Sequence, residues 1–364
     1  MSSRPKVLVV TYPDEFAKQE AVGLAEAAGY LVAHKVTQKY LNHAEYGVGS
    51  GKAEELKEIA NQVGSETIIV DERLTSSQMN NLSKLTGQQV IDREKLILDI
   101  FSKRAQTTEA KLQVELAELR YEMPRARENV KLSVKGERQG LSGMGEYAVD
   151  VRFRDLKRRM SSIKEKLREA SRRRSLHRTQ RQKLNIPFVS LVGYTSSGKT
   201  TLFNRLAEEE KEVANSLFTT LTTTTRSVML PDSTKMLLSD TVGFISRLPT
   251  YMIEAFKSTL DELTYADLVL LMLDTSEPLP DMEIKYDSCW QILRELKVPP
   301  SKVIVILNKS DQASNENIAE AKTLFTETPS IVISAKRGDG THLLKNRIQQ
   351  SLHSISTRKA TTIN

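Results

Sequence analysis

Short apolar runs alternate with helix-length segments over the first 92 residues. Runs rich in Val and Ile at 6–11, 30–36, 67–71 and 89–91 predict strands, and amphipathic segments at 15–28, 53–63 and 76–85 predict helices. Strands that alternate with helices form parallel sheets, because each connecting helix covers a face of the sheet. Residues 1–92 are therefore predicted to form an α/β domain with a four-stranded parallel sheet.

A different periodicity runs through residues 93–183. Apolar side chains recur three or four positions apart, which predicts two helices that pack as an antiparallel, coiled-coil-like hairpin. The first stripe consists of Leu98, Phe101, Ala105, Thr108, Leu112, Leu119 and Met123, and the second of Val149, Phe153, Leu156, Met160, Ile163, Leu167 and Ala170. Pro124 is predicted to end or kink the first helix. The stretch 124–145, which contains four glycines, is predicted to connect the two helices.

The alternating pattern returns in residues 186–357. Apolar, β-rich runs lie at 188–192, 226–230, 236–239, 268–273, 303–307 and 330–333, with helix-length segments between them. This order predicts a doubly wound sheet, whose ligands bind beyond the carboxyl ends of the strands. The predicted fold is α/β, with the helical hairpin between an N-terminal α/β domain and this C-terminal domain.

A glycine-rich segment follows the first strand of the C-terminal domain. It reads Gly193-Tyr194-Thr195-Ser196-Ser197-Gly198-Lys199-Thr200 and precedes a helix-compatible stretch. Strand, glycine-rich turn and helix are the context of a phosphate-binding loop, in which backbone N–H groups and the helix N-terminus form an anion site. Lys199 is predicted to reach the β- and γ-phosphates of a nucleotide, and the Thr200 hydroxyl to bind Mg²⁺.

Three later strand ends carry polar groups that suit a guanine nucleotide. They are Asp240-Thr241-Val242-Gly243, Asn308-Lys309-Ser310-Asp311 and Ser334-Ala335-Lys336. Asp240 offers a carboxylate to the water shell of the metal, and Gly243 offers an N–H to the γ-phosphate. The Asp311 carboxylate can accept hydrogen bonds from guanine N1–H and the 2-amino group, a donor pair that adenine lacks. GTP, rather than ATP, is the predicted ligand.

These strings, with Ser216–Arg226 (SLFTTLTTTTR), resemble the guanine-nucleotide motifs of the HflX family of translational GTPases. The N-terminal strings YGVGSGK at 46–52, DIF at 99–101, EAKLQVEL at 109–116 and GMGE at 143–146 are similar to that family's own domain. The resemblance implies GTP hydrolysis and a switch segment that contacts nucleotide and metal. That segment comprises Phe218, Thr219, Thr220, Leu221 and Thr222. Thr220 is the implied second metal ligand, and with Lys199 and Gly243 an implied catalytic residue.

Two residues bear on mechanism, Ser196, which departs from the family pattern, and Phe244, which differs from GTPases outside the family. Bacterial members usually carry asparagine at the position of Ser196, where a side-chain amide helps to coordinate potassium, so the serine argues against potassium activation. Better-known GTPases orient the attacking water with a glutamine directly after the glycine of D-x-x-G, and this chain has Phe244 there. Slow intrinsic hydrolysis, stimulated by a partner, is therefore expected. Arg226 and Arg247 are candidates for a charge supplied in cis.

Charge is concentrated in the predicted hairpin. Residues 103–183 contain 23 Lys and Arg against 11 Asp and Glu, a balance of +12 in a chain whose net charge is +7. Such segregation indicates a polyanionic partner, although the charges could also be the solvated face of a long helix. The resemblance implies that the partner is the large ribosomal subunit, bound through the basic hairpin and its connecting loop. DNA and membrane are not expected as partners, and a monomer is expected.

Composition indicates the cellular compartment of the protein. One cysteine, Cys289, excludes an intramolecular disulfide and indicates a reducing compartment. The longest apolar run, at 268–273, is too short to span a bilayer. A cytoplasmic location is expected.

Two alternatives stay open at this stage. The chain is expected either to bind the large subunit as a nucleotide-controlled switch, in translation, ribosome splitting or biogenesis, or to act as a GTP-regulated RNA-binding assembly factor in which hydrolysis is incidental. A nucleotide kinase with the same phosphate loop is disfavoured by Asn308–Asp311. The glycines at 47, 49 and 51 invite a second nucleotide site, but a glycine turn before a helix is the preferred interpretation.

Overall fold

The first 92 residues form the predicted parallel sheet, in the order β2-β1-β3-β4. The computed structural model describes residues 4–136, 142–208, 217–218, 224–325 and 329–361. The strands are β1 (Lys6–Thr11), β2 (Leu31–Thr37), β3 (Thr67–Val70) and β4 (Gln89–Asp92), and the helices between them are α1 (Glu15–Ala27), α2 (Ser50–Val63) and α3 (Ser76–Thr86). This arrangement belongs to a first compact unit, residues 1–168, and a second unit spans 169–364.

Apolar side chains from the strands and from α2 and α3 form the core of the first unit, among them Leu8, Leu56, Ile68 and Leu82, all fully buried. A charged network lies beside this core at the end of the strands. The guanidinium of Arg93 contacts Asp71 at 2.5 Å and Glu20 at 2.6 Å, with all three side chains at most 4% exposed. Burial alone would lower the pKa of Arg93, but the two carboxylates raise it above its ordinary value. Ion pairs this buried are costly to break on one side only.

The glycines at 47 and 49 build a turn. Gly47 has φ +77°, its N–H donates to the His43 carbonyl at 2.8 Å, and a side chain there would collide with Leu74. Gly49 is the N-cap of α2. The positive φ and the contact with Leu74 account for glycine at position 47, and the geometry fits the interpretation of this segment as a glycine turn before a helix.

The first apolar stripe of the hairpin is divided between two helices, and the expectation of one continuous helix is wrong. Helix α4 (Arg93–Arg104) ends at Ala105, whose backbone is extended, and α5 (Thr108–Gly136) begins three residues later. Side chains of the stripe are still part of the core, as predicted, since Leu98, Phe101, Ala105 and Leu119 are buried.

Pro124 does not end the helix, because α5 continues to Gly136. The expected connecting stretch 124–145 is therefore helical over most of its length, and only 137–141 lie between the two helices, outside the described residues. Tertiary contacts outweigh the local cost of proline here. Arg125 contacts Asp92 at 2.5 Å and donates to the Leu74 carbonyl at 2.6 Å. Glu128 accepts from the Ser76 and Ser77 N–H groups at the start of α3.

The second helix of the pair, α6 (Ser142–Lys183), extends through residue 168 into the second compact unit. Leu156, Ile163 and Leu167 of its predicted stripe are buried. An ion pair of 3.0 Å between Arg159 and Glu115 links α6 to α5.

The second unit contains a mixed six-stranded sheet in the order β10-β9-β8-β5-β7-β6. Its strands are β5 (Phe188–Gly193), β6 (Thr224–Met229), β7 (Lys235–Asp240), β8 (Leu268–Asp274), β9 (Val303–Asn308) and β10 (Ser330–Val332). Its helices are α7 (Lys199–Ala207), α8 (Thr250–Ala255), α9 (Lys257–Tyr265), α10 (Leu279–Glu295), α11 (Asn315–Leu324) and α12 (Thr341–Thr361). Only β6 is antiparallel to its neighbour among these six. The carboxyl ends of β5, β7, β9 and β10 consequently meet at one edge.

The core of this unit is a continuous apolar layer between the sheet and helices α7 and α12. Leu191, Phe203, Leu270, Ile306 and Leu344 are fully buried in it. No helix in the described part of the chain combines the length and apolar character that a bilayer crossing requires.

Candidate guanine-nucleotide site

The segment from Gly193 to Thr200 leaves β5 and enters α7 as a tight loop. Gly193 (φ +150°) and Gly198 (φ +95°) hold conformations that other residues rarely adopt, and Ser196 follows with φ +63°. A side chain at Gly193 would collide with the Met272 carbonyl oxygen, and one at Gly198 with the Asn308 amide. The loop is thus closed tightly against β8 and β9. Strand, glycine turn and helix are the arrangement in which backbone N–H groups bind phosphate.

Lys199 is buried inside this loop, with 7% of its surface exposed. Its ammonium donates to the carbonyls of Gly193 at 3.1 Å and Tyr194 at 2.8 Å. Burial lowers the pKa of Lys199 to about 8, and the nearby Asp240 opposes this shift. A desolvated cation at the base of an anion cradle is suited to binding phosphate, and among the described residues no carboxylate forms an ion pair with it.

The oxygen atoms at the loop fit a nucleotide with a bound magnesium ion. Thr200 Oγ1 donates to Asp240 Oδ2 at 2.9 Å, which places a hydroxyl and a carboxylate together, and oxygen ligands are what Mg²⁺ prefers. Thr195 Oγ1 and Ser197 Oγ are buried and have no hydrogen-bond partner among the described residues. Buried hydroxyls normally form hydrogen bonds, so these two could bind a polar ligand. Glycine cradle, cation and oxygen donors therefore fit a magnesium nucleotide.

The segment after Asp240 is paired with the phosphate-binding loop. The Phe244 N–H donates to the Gly193 carbonyl at 3.0 Å, and the Thr195 N–H donates to the Phe244 carbonyl at 2.8 Å. The Phe244 side chain is 1% exposed, so it lies in the core rather than over the loop. Gly243 lies against Thr195 and Lys199 with no room for a side chain. Thr241 donates to the Leu191 carbonyl at 2.6 Å, and Val242 is buried.

Asn308 joins the phosphate loop to the segment proposed to bind the base. Its amide nitrogen donates to the Ser197 carbonyl at 2.8 Å, and its amide oxygen accepts from the Ala335 N–H at 3.0 Å. Ser334 Oγ donates to Asp311 Oδ1 at 2.7 Å, and this bond holds the pKa of Asp311 below its ordinary value. Asp311 is thus an ionised acceptor beside Ser334. Lys309 pairs with Asp274, and Ser310 donates its N–H to the Ile333 carbonyl. Lys336 accepts through its carbonyl from Arg205 at 2.5 Å.

The predicted switch segment is described only at its start. Phe218 is buried with φ +57°, whereas Thr219, Thr220, Leu221 and Thr222 lie outside the described residues. The two candidate cis charges, Arg226 and Arg247, are exposed. Their roles, like those of the individual site residues above, stay predictions.

Several contacts around the loop were not predicted. Lys285 of α10 lies 2.5 Å from Glu277 and 5.1 Å from the centre of the Tyr194 ring. The Tyr194 hydroxyl accepts from the Ser246 N–H at 2.6 Å. Cys289 is fully buried on the same helix, and burial raises the pKa of its thiol to about 12. Tyr194 lies in the phosphate loop, but Ser246 and Lys285 come from other segments and form no motif with it, so no sequence pattern could have indicated these contacts.

The basic end of α6 has two distinct faces. Arg172 and Arg173 are exposed, whereas Arg174, Arg178 and Arg181 are partly buried. Arg178 stacks over the Tyr265 ring at 3.3 Å. Together with Asp261 and Glu262, the three inner arginines line a cavity of about 180 Å³. The expectation that the arginines of this segment act as one partner-binding surface is therefore too broad.

A phosphate loop, an Asp-x-x-Gly segment paired to it and an Asn-Lys-x-Asp strand end at one sheet edge define a P-loop GTPase. Comparison with known families agrees. The chain matches the family models for the GTP-binding GTPase N-terminal region at residues 16–102, the GTP-binding GTPase middle region at 104–181, and the 50S ribosome-binding GTPase at 188–309. The chain belongs to the HflX family of GTPases.

Curated relatives show the same family over most of the chain. GTPase HflX of Thermococcus kodakarensis is 42% identical over 86% of this chain and 71% of its own length, and GTPase HflX of Methanocaldococcus jannaschii is 39% identical over 96% and 88%. Among solved structures, a GTP-binding protein from Sulfolobus solfataricus in complex with GDP is 27% identical, with a TM-score of 0.50 over 96% of this chain and 99% of that chain.

Proposed function

We propose that this protein binds and hydrolyses GTP with Mg²⁺ and associates as a cytoplasmic monomer with the large ribosomal subunit, acting in translation, ribosome splitting and rescue, or ribosome biogenesis. The proposed domains are residues 1–92, the basic helical hairpin 93–183 and the GTPase domain 186–357. The observation that carries the proposal is the combination of the nucleotide cradle at Lys199 with an exposed basic face on α6.

Each group of site residues has a separate role in nucleotide binding. Loop N–H groups and Lys199 hold the β- and γ-phosphates, and Thr200 and Thr220 would hold the metal. Asp311 reads the base together with the backbone of Ser334–Lys336. Magnesium, when bound, neutralises charge that develops on the phosphate oxygens. Phosphoryl transfer needs positioning and charge neutralisation rather than covalent chemistry, and this chain supplies both through Lys199 and Gly243.

The partner contact is assigned to exposed cations of α6. Arg158, Lys164, Lys166, Arg172 and Arg173 are exposed. A basic helix with few aromatics reads phosphates and helical shape rather than base identity, which suits folded ribosomal RNA. Arg125 is excluded from this surface, because its side chain is 12% exposed and paired with Asp92. The family model whose description names 50S ribosome binding supports the choice of partner.

Sedimentation with ribosomal particles tests the proposal. Purified protein is centrifuged with large subunits, small subunits and intact ribosomes, each with GDP or a non-hydrolysable GTP analogue. Binding to large subunits that depends on the nucleotide is expected, and a Lys199→Ala variant should lose the dependence. Equal, nucleotide-independent binding to any RNA would instead favour the assembly-factor alternative, and no binding to large subunits at low salt would refute the proposal.

A further inference from the structure

We propose that Tyr194 is a positioning residue for the GTPase reaction, because its hydroxyl holds the backbone at Ser246 and thereby fixes Gly243 against the phosphate loop. The inference rests on the proposed nucleotide site. It assigns to one loop side chain a role that the G-x-x-x-x-G-K-[ST] pattern leaves open, since Tyr194 stands at a variable position of that pattern.

The backbone pairing explains why a side-chain oxygen is needed. Phe244 bonds through both its N–H and its carbonyl to the loop residues on either side of Tyr194. In a regular parallel ladder, the next N–H on the same side, that of Ser246, would find a loop carbonyl. The loop turns away at Ser196, where φ is +63°, so the ladder ends. The Tyr194 hydroxyl takes the place of the next carbonyl and accepts from the Ser246 N–H at 2.6 Å.

The Tyr194 ring is itself held in place. It is 4% exposed, and the Lys285 ammonium lies 5.1 Å from the ring centre. Lys285 is in turn oriented by Glu277 at 2.5 Å. Burial raises the pKa of Glu277, and the charge of Lys285 opposes the increase. A cation over an aromatic face restricts ring position, and more so when the pair is desolvated.

We call the hydrogen bond from the Ser246 N–H to the Tyr194 hydroxyl the latch. Gly243 is the residue whose position the latch determines. It lies three residues before Ser246 and packs on Thr195 and the Lys199 ammonium. In the proposed site, its N–H is directed to the γ-phosphate, which GTP has and GDP lacks. A loss of the latch should therefore weaken binding of the triphosphate and leave GDP unaffected, because only the triphosphate makes a contact that depends on Gly243.

Tyr194→Phe removes the hydroxyl and keeps the ring. Titration with fluorescent GDP and a fluorescent non-hydrolysable GTP analogue should show unchanged GDP affinity and an analogue affinity about 2- to 10-fold weaker, the range for one buried neutral hydrogen bond. The turnover number with GTP should fall. The matched control is Tyr12→Phe, which removes a tyrosine hydroxyl bonded to Glu72 at 2.6 Å in the other compact unit and should leave the affinity ratio unchanged.

The ratio of the two affinities separates the possible outcomes. An unchanged ratio in Tyr194→Phe, or equal weakening of both nucleotides, would overturn the latch and leave Tyr194 a packing residue. Failure of the wild-type protein to bind GDP would instead refute the nucleotide site itself. If Tyr194→Phe does not fold, Lys285→Gln keeps the hydroxyl and removes the cation over the ring. A smaller shift of the ratio in the same direction is then expected, and no shift would overturn the proposal.

Discussion

Asp311 carries the base selectivity of the proposed site, and its substitution should change which nucleotide binds. Asp311→Asn replaces an acceptor pair by one acceptor and one donor, which mismatches guanine and suits the 2-oxo group of xanthine. We expect GTP affinity to fall by about 100-fold or more, since a site with unpaired polar groups rejects its ligand strongly, and xanthosine triphosphate to bind better. Fluorescence titration with both nucleotides measures this. Unchanged GTP affinity would disprove the assignment of Asp311.

Lys199 should couple nucleotide binding to proton uptake. Its pKa is about 8 in the folded protein, against an ordinary 10.5, so folding favours the neutral form. The charged lysine therefore costs stability below pH 8, and the cost is relieved as pH rises from 8 toward 10.5. Bound phosphates need the cation, so Lys199 should take up about half a proton per GDP bound near pH 8 and almost none at pH 6.5. The terminal phosphate of GDP, with a second pKa of about 6, exchanges protons of its own, and this contribution is subtracted with the control variant.

Calorimetry in buffers of different ionisation enthalpy measures that uptake. Lys199→Arg is the matched control, because guanidinium does not titrate in this range. Proton uptake that is the same at both pH values, or that persists in Lys199→Arg, would contradict the assignment.

The positions of the candidate site residues could be predicted where they follow a strand end. Asp240, Asn308 and Ser334 were named from sequence because buried parallel strands appear as apolar runs, and their ends meet at one edge. The pairing of Tyr194 with Ser246 could not be predicted, because it depends on how far the loop turns at Ser196. The burial of Phe244 in the core could not be predicted either, because phenylalanine occurs in many environments.

At the scale of elements, substitutions on the two faces of α6 should have different effects. Arg172→Glu with Arg173→Glu reverses two exposed charges, so large-subunit binding should weaken and its log–log salt slope should flatten by about 1.5 to 2 units, with the melting temperature and GDP affinity unchanged. The control is Arg174→Glu with Arg178→Glu, which disturbs packing on Tyr265 and should lower the melting temperature. If neither pair alters binding at low salt, the hairpin serves as a spacer.

Element boundaries were predicted best where burial is complete. The structure starts β5 and β8 at the predicted residues, Phe188 and Leu268, and every residue of both strands is buried. The path of α5 through Pro124 was not predicted, since proline reports a local cost, whereas Arg125 and Glu128 offset it through contacts with residues about 50 positions earlier. The break between α4 and α5 was missed for a related reason. The apolar stripe continues across it, and periodicity alone does not show where a chain changes direction.

For the molecule as a whole, hydrolysis should depend on the partner. Phe244 is buried where a glutamine would orient water, so the free protein should turn over GTP well below the ~1–100 s⁻¹ typical of kinases. Addition of large subunits should raise the rate, which phosphate release under multiple-turnover conditions measures. Small subunits at equal RNA mass are the control. A fast free enzyme, indifferent to ribosomes, would contradict this account.

Because Cys289 is buried, the reactivity of its thiol can report transient opening of the GTPase unit. With one cysteine in the chain, fully enclosed and with its pKa raised to about 12, a thiol reagent can react only during transient exposure of α10. Under a fast pre-equilibrium, the labelling rate then measures the free energy of that opening. Saturating GDP should slow labelling in proportion to its concentration over its Kd, because ligand binds only the closed form. Nucleotides could thus be ranked by how much each one slows the labelling of Cys289, with no dye or added tag.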